Sequence, residues 1–199
     1  MTGIDIDPKS IQVATARLSQ HSNANFQVLD IEAVNKFELP QLYDIIYCRL
    51  LLSHLKDPLA LLQKLKPLLS PSGQLIVEDH DNDDSCYPKN LAFSTFASAW
   101  IQLGHQRQCC YNNLVDMLPL LYEKCQLNLK SVHVSKSNAS ELSNQVMAQS
   151  IFDLREAMIQ EQILSESIFD ALYAELLDFF SQPYTHVFLP TCIRMAGSL

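Results

Sequence analysis

Thr2-Gly3-Ile4-Asp5-Ile6-Asp7-Pro8 stands at the head of the chain and decides how the rest is read. Gly3 and Ile4 suit a buried strand, which puts Asp5 at its carboxyl end, the place where open α/β sheets hold their ligands. Two carboxylate oxygens there can accept both hydroxyls of a nucleotide ribose. Asp7 followed by Pro8 reads as a helix N-cap and first helical position, because a short acid accepts an orphan backbone N–H and proline loses nothing there. Ile11, Ala14 and Leu18 then recur at helical spacing. Taken alone, an acid in the position of Asp5 is more often a cap or a surface residue. The order of the elements downstream raises the ribose reading.

Working outward, residues 26–29 form a second short strand that runs into Asp30-Ile31. A carboxylate there can accept the exocyclic amine of an adenine, with Ile31 packed on the ring. Residues 43–47, rich in β-branched and aromatic side chains, predict a third, buried strand. Asp57-Pro58 repeats the cap-plus-proline device. Leu61, Leu62, Leu65, Leu68 and Leu69 then mark the inward face of a helix closed by Pro71-Ser72-Gly73, and residues 74–78 give a fourth strand. Strands alternating with single helices at such short intervals imply right-handed βαβ units: an α/β fold with a doubly wound, mostly parallel sheet covered by helices on both faces.

The second half follows a looser pattern. Residues 91–103 predict a helix with Phe96, Trp100 and Leu103 on one face and Gly104 as its stop. Leu114, Met117, Leu118, Leu121 and Cys125 mark another helix, and residues 127–134 a strand. Residues 139–180 read as helical, with Ile168, Leu172, Leu176 and Phe180 as the clearest stripe, ending at Pro183. The tail, residues 185–196, is a strand interrupted at Pro190, which has no N–H for a ladder. Residues 1–199 thus read as one domain. Residues 1–84 form a cofactor-binding half and residues 85–199 a substrate-side half, with a helical insertion around 139–182 that serves either as packed scaffold or as a lid over substrate.

GIDIDP, FQVLDIEA, YDIIYCRLLLSHLKDP and LKPLLSPSGQLIVEDHD, in that order, resemble the class I S-adenosylmethionine-dependent methyltransferases from their second strand through their fifth. The resemblance covers residues 2–81. It implies a Rossmann-like methyltransferase fold and S-adenosyl-L-methionine as cofactor, with Asp5 on the cofactor ribose, Asp30 on the adenine amine, and Ile6 and Ile31 flanking the ring. Cys48, Arg49 and Leu50 then match the segment facing the cofactor's methionine half and the substrate. The family's D-x-G-x-G-x-G loop and first strand are absent, so the chain reads as N-terminally truncated. In the family's sheet that strand lies between the second and fourth, and its loss leaves two ladder edges without a partner. A partner chain could satisfy those edges, which leaves an oligomer open.

Glu78-Asp79-His80-Asp81-Asn82-Asp83-Asp84 leaves the fourth strand where substrate contacts cluster in this architecture. It reads as a substrate-binding patch using Asp79, His80 and Asp81, as a divalent-metal site, or as a solvated loop. Neighbouring residues on one loop rarely wrap a cation, so no metal is expected. Tyr87 and Trp100 could add aromatic walls, with core packing the simpler role for Trp100. His54, three residues into the segment after the third strand run, is the weak candidate for a catalytic base and has packing as its plainer use. Many methyl transfers need little beyond alignment of nucleophile and sulfonium.

A length of 199 residues can bury a sizeable core. The net charge of −8 argues against nucleic-acid and anionic-membrane surfaces and favours a small-molecule methyl acceptor. Six scattered cysteines, with only Cys109 and Cys110 adjacent, form neither a metal signature nor a disulfide framework. No apolar run could span a bilayer and the first residues do not resemble a secretion signal, so a cytoplasmic location is expected. Two other readings stay open. One is a catalytically inactive binding module or fragment derived from a methyltransferase. The other is an NAD-dependent oxidoreductase, whose fold also places an acid after its second strand, although Asp30-Ile31 speaks against it.

Overall fold

Asp7 and Pro8 do locally what their chemistry dictates. In the computed structural model, which describes residues 1–34, 37, 42–80, 85–109, 114–135 and 141–199, the Asp7 carboxylate accepts the backbone N–H groups of Lys9 and Ser10, both at 3.0 Å. This caps α1 (Pro8–Arg17), which joins the parallel strands β1 (Thr2–Asp5) and β2 (Asn25–Val28). The register runs from Thr2 opposite Asn25 to Asp5 opposite Val28. Gly3 is required at its place, because a Cβ there would sit 2.6 Å from the Phe26 ring that lies over it. These elements belong to the first of two compact units, Met1–Gln41.

The second unit, Leu42–Leu199, holds a four-stranded sheet. Its first strands, β3 (Tyr43–Arg49) and β4 (Leu69–His80), run parallel and are joined through α2 (Pro58–Leu65), which Asp57 caps by accepting Ala60 N–H at 2.9 Å. α2 ends at Leu65, earlier than the leucine pattern predicts. Pro71-Ser72-Gly73 lies inside β4 as an irregularity where the register jumps from Tyr43–Leu69 to Ile45–Gln74. There the backbone crowds Gly73, whose Cβ would meet Tyr43 O at 2.7 Å. The remaining elements are β5 (Ser85–Tyr87), α3 (Leu91–Arg107), α4 (Leu114–Lys124), β6 (Asn128–Ser135), α5 (Glu141–Asp153), α6 (Arg155–Gln160), α7 (Glu166–Ser181), β7 (His186–Phe188) and β8 (Cys192–Ser198). The sheet order is β3-β4-β8-β6, with β8 antiparallel to both neighbours, and β5 pairs with β7 in a separate ribbon.

Strand alternation sorts this sheet into two faces. Cys48, Leu75, Val77, Asp79 and Met195 are buried on one, under Tyr122 of α4, whose hydroxyl donates to Met195 O (2.8 Å) and lies 3.2 Å from Leu75 O. Ile45 and Tyr47 project from the other face and are 63% and 51% exposed. The run expected as a buried strand, residues 43–47, is thus at most half-buried, at Tyr43 and Ile46, and the buried position of the strand is Cys48. Among the described residues β1 pairs only with β2 and β3 only with β4, so each keeps an unpaired edge.

The helical insertion shares its core with α3. Phe93, Phe96 and Leu103 pack with Met147, Ile151, Met158, Phe169 and Leu176, and Trp100 borders the cluster, in keeping with the packing role. Residues 141–181 are helical as expected and fold as three helices. The buried stripe of α7 is Phe169, Leu176 and Phe179, while Ile168 is 51% exposed. α3 runs on past Gly104, which is buried within it, to Gln108 in the left-handed conformation (φ 60°). Buried Asn144 knits α5 to the end of α7 and to the chain that follows it. Its amide donates to Phe180 O and Thr185 O, and its oxygen accepts Val187 N–H at 3.1 Å. Among the described residues no helix is long and apolar enough to cross a membrane.

Candidate functional site

In the first unit, the parallel register brings two acids to one end of the β1–β2 pair. Asp5 closes β1 opposite Val28, Leu29 N–H donates to Asp5 O at 2.9 Å, and Asp30 follows at once. Each acid uses its Oδ1 to hold its own turn. Asp5 accepts Asp7 N–H at 2.8 Å, and Asp30 accepts Glu32 N–H at 2.9 Å and Ala33 N–H at 3.4 Å. Both side chains are exposed, and among the described residues the Oδ2 atoms receive no hydrogen bond. Ile6, 65% exposed, and the half-buried Ile31 follow directly on the two acids. Two preoriented acceptors beside two apolar side chains suit an adenosine, which offers ribose hydroxyls, an exocyclic amine and a flat apolar ring.

In the second unit, the carboxyl ends of β3 and β4 carry the other candidates. Cys48 is 5% exposed on the covered face, and burial, reinforced by the Asp79 charge, pushes its thiol up to about 12, so it is a neutral packing group. Arg49 lies on the opposite face and donates from Nε to Glu78 Oε1 at 3.1 Å. Cys48 and Arg49, expected side by side on the cofactor, therefore present their side chains to different faces. Leu50 follows at φ 48°, a conformation that costs a leucine strain, and its N–H is bound to Glu78 O at 2.8 Å.

Asp79 departs most from expectation. Placed in an exposed substrate loop by the sequence reading, it is instead fully buried at the end of β4. Its Oδ2 accepts the N–H groups of Leu51 (3.1 Å) and Ser53 (3.2 Å), and its Oδ1 accepts His80 N–H (3.0 Å). The signal was present in the strand period, since Leu75, Val77 and Asp79 share the inward face. Asp81 lies outside the described residues. His80 ends β4 half-buried, and Tyr87 is 66% exposed on β5 opposite His186. His54 closes a short 3-10 turn, Leu52–His54, with its side chain exposed and its carbonyl accepting the Cys109 thiol at 3.0 Å. Partial desolvation holds its imidazole below the ordinary value. Asp79 pulls the other way, and His80 and Arg107 add to the lowering. A neutral imidazole at this position can accept a proton. Ser53, missed by the sequence reading, is fully buried, and its Oγ has no partner among the described residues.

Comparison with known proteins bears on what these groups are for. Residues 1–113 match a protein-family model described as "Methyltransferase domain". The ubiquinone biosynthesis O-methyltransferase of Coxiella burnetii is 33% identical over 88 residues, which are 44% of this chain and 37% of that protein. The protein of the same description from Nitrosospira multiformis is 26% identical over 102 residues, 51% of this chain and 41% of that one. The chain thus spans about two fifths of the length of these curated relatives. Among solved structures, a Bacillus halodurans protein described as a methyltransferase superposes with a TM-score of 0.58 at 17% identity, covering 98% of this chain and 81% of its own. Phosphoethanolamine N-methyltransferase 2 of Haemonchus contortus, solved with S-adenosyl-L-methionine, gives 0.52 at 17% identity and covers 99% of this chain and 42% of that one. These likenesses show a Rossmann-like methyltransferase fold.

Proposed function

Because the chain belongs to the methyltransferase-domain family, we propose that it takes part in transfer of a methyl group from S-adenosyl-L-methionine to an oxygen of a small-molecule acceptor. The observation that carries the reading is the pair Asp5 and Asp30, exposed at one end of two paired parallel strands and each with an oxygen to spare. Asp5 accepts the ribose hydroxyls. Asp30 accepts the adenine amine, and Ile6 and Ile31 take the faces of the ring. When bound, the cofactor supplies a methyl carbon made electrophilic by its sulfonium. An acceptor oxygen forms the new bond to that carbon as the carbon–sulfur bond breaks, and the acceptor's proton must leave. Solvent takes that proton, and His54 of the second unit, exposed and held neutral, is a proton acceptor in its own right. The choice of oxygen leans on the O-methyltransferases among the relatives, and the small-molecule acceptor on the net charge of −8.

The test is calorimetric titration with S-adenosylhomocysteine and, in parallel, with NAD. The wild type should bind the former and not the latter. Asp5→Ala and Asp30→Ala should each weaken binding about tenfold or more, as expected for losing a hydrogen bond to a charged group. Undiminished binding by both variants would sink the assignment.

A further inference from the structure

We propose that Asp79 is a positioning residue, a buried carboxylate whose function is to set the turn that carries Ser53 and His54 away from the end of β3. The proposal rests on the methyl-transfer reading for its use, and on geometry for its form. A carboxylate with no exposed surface is costly unless its oxygens are hydrogen bonded. Asp79 meets that demand with three backbone N–H groups, and the ones from Leu51 and Ser53 belong to a segment 28 and 26 residues earlier in the chain. That segment has no cap of its own. The turn Leu52–His54 begins at Leu51, whose own side chain makes no cap bond, and Asp79 caps it from a neighbouring strand.

The segment also needs such a hold. Leu50, just before it, sits at φ 48°, where a leucine does not rest unless the surroundings impose it. Leu52 and Leu55 are buried and anchor the turn from the apolar side, with the Cys109 thiol on His54 O at its far end. Apolar anchors alone leave the turn's rotation loosely determined. Two directed bonds to one oxygen, Oδ2, fix it. The groups whose placement follows are the partnerless Ser53 Oγ and the exposed His54 ring, faced by Asp79 and His80 of β4 and Arg107 of α3.

Amide hydrogen exchange and histidine side-chain resonances, read by NMR on the full chain, test this in the wild type and in Asp79→Asn. In the wild type the Leu51 and Ser53 amides should exchange as slowly as those of the β4–β8 ladder. In Asp79→Asn they should exchange about ten- to a hundredfold faster, the His54 imidazole resonances should move, and the ladder amides should keep their rates. Fast exchange of Leu51 and Ser53 in the wild type overturns the proposal, whether or not the variant folds. So do unchanged rates in the variant, or acceleration spread evenly over the sheet, which marks a merely structural role. Failure of the wild type to bind S-adenosylhomocysteine with these amides protected would overturn the methyl-transfer reading and leave the capping intact.

Discussion

Asp5 and Asp79 are both acids at the carboxyl end of a strand, and burial separates their uses. Asp5 is exposed and holds one oxygen in reserve, whereas Asp79 spends both on backbone N–H groups inside the fold. Asp7, two residues from Asp5, is a cap and nothing more. The Ser10 hydroxyl and the Lys9 and Ser10 N–H groups hold its carboxyl below the ordinary range. The hold exists while Asp7 is ionised, so α1 loosens as pH falls below about 4, and Asp7→Ala should speed amide exchange in the first turn of α1. His54 titrates with the same sign for a different reason, since burial disfavours its charged form. Its folded-state value lies below the ordinary 6.5, so the unfolded chain binds more protons in the window just beneath 6.5. Stability should therefore rise with pH through that window, and His54→Gln should flatten the rise in urea midpoints.

At the scale of elements, the insertion is held to the rest of its unit by an aromatic stripe and one buried amide. Phe169 is buried against Phe96, with ring centroids 6.3 Å apart, while its neighbour Ile168 faces solvent. Phe169→Ala should cost about 3–5 kcal/mol and Ile168→Ala about 0.5 kcal/mol or less, a contrast readable in denaturation midpoints. Asn144→Ala strands the buried Val187 N–H and should cost about 1–3 kcal/mol. The elements themselves were mostly legible: both Asp-Pro caps, the strand runs other than β5 and the insertion were marked by local chemistry. The errors lie where neighbours decide. The burial of Phe169 in place of Ile168 on α7, the extension of α3 past Gly104 and the absorption of Pro71-Ser72-Gly73 into β4 each depend on which partner surface the element meets.

The molecule as a whole distributes its core unevenly. α1 has no buried residue, and β1–β2 is a two-stranded sheet of exposed and half-buried positions, whereas Leu42–Leu199 holds the large cluster around Phe169. A two-stranded sheet under one helix is marginal by itself. Amides of Met1–Gln41 should thus exchange faster than those of β4 and β8, and S-adenosylhomocysteine should slow them selectively, since stabilisation follows the site that the ligand binds. Exchange equal to that of β4 in the free protein would refute this. The sequence alone determined the order of elements apart from β5, the capped helices and the acids at the strand ends, because caps, periodicities and turns are short-range and each is written within a few residues. Only the tertiary structure decided that Cys48 and Arg49 face apart, that one face of β3 stays open, and that Asp79 turns inward to hold a segment 26 residues away. Burial and long-range hydrogen bonds depend on what the rest of the chain brings alongside, and no local pattern carries that.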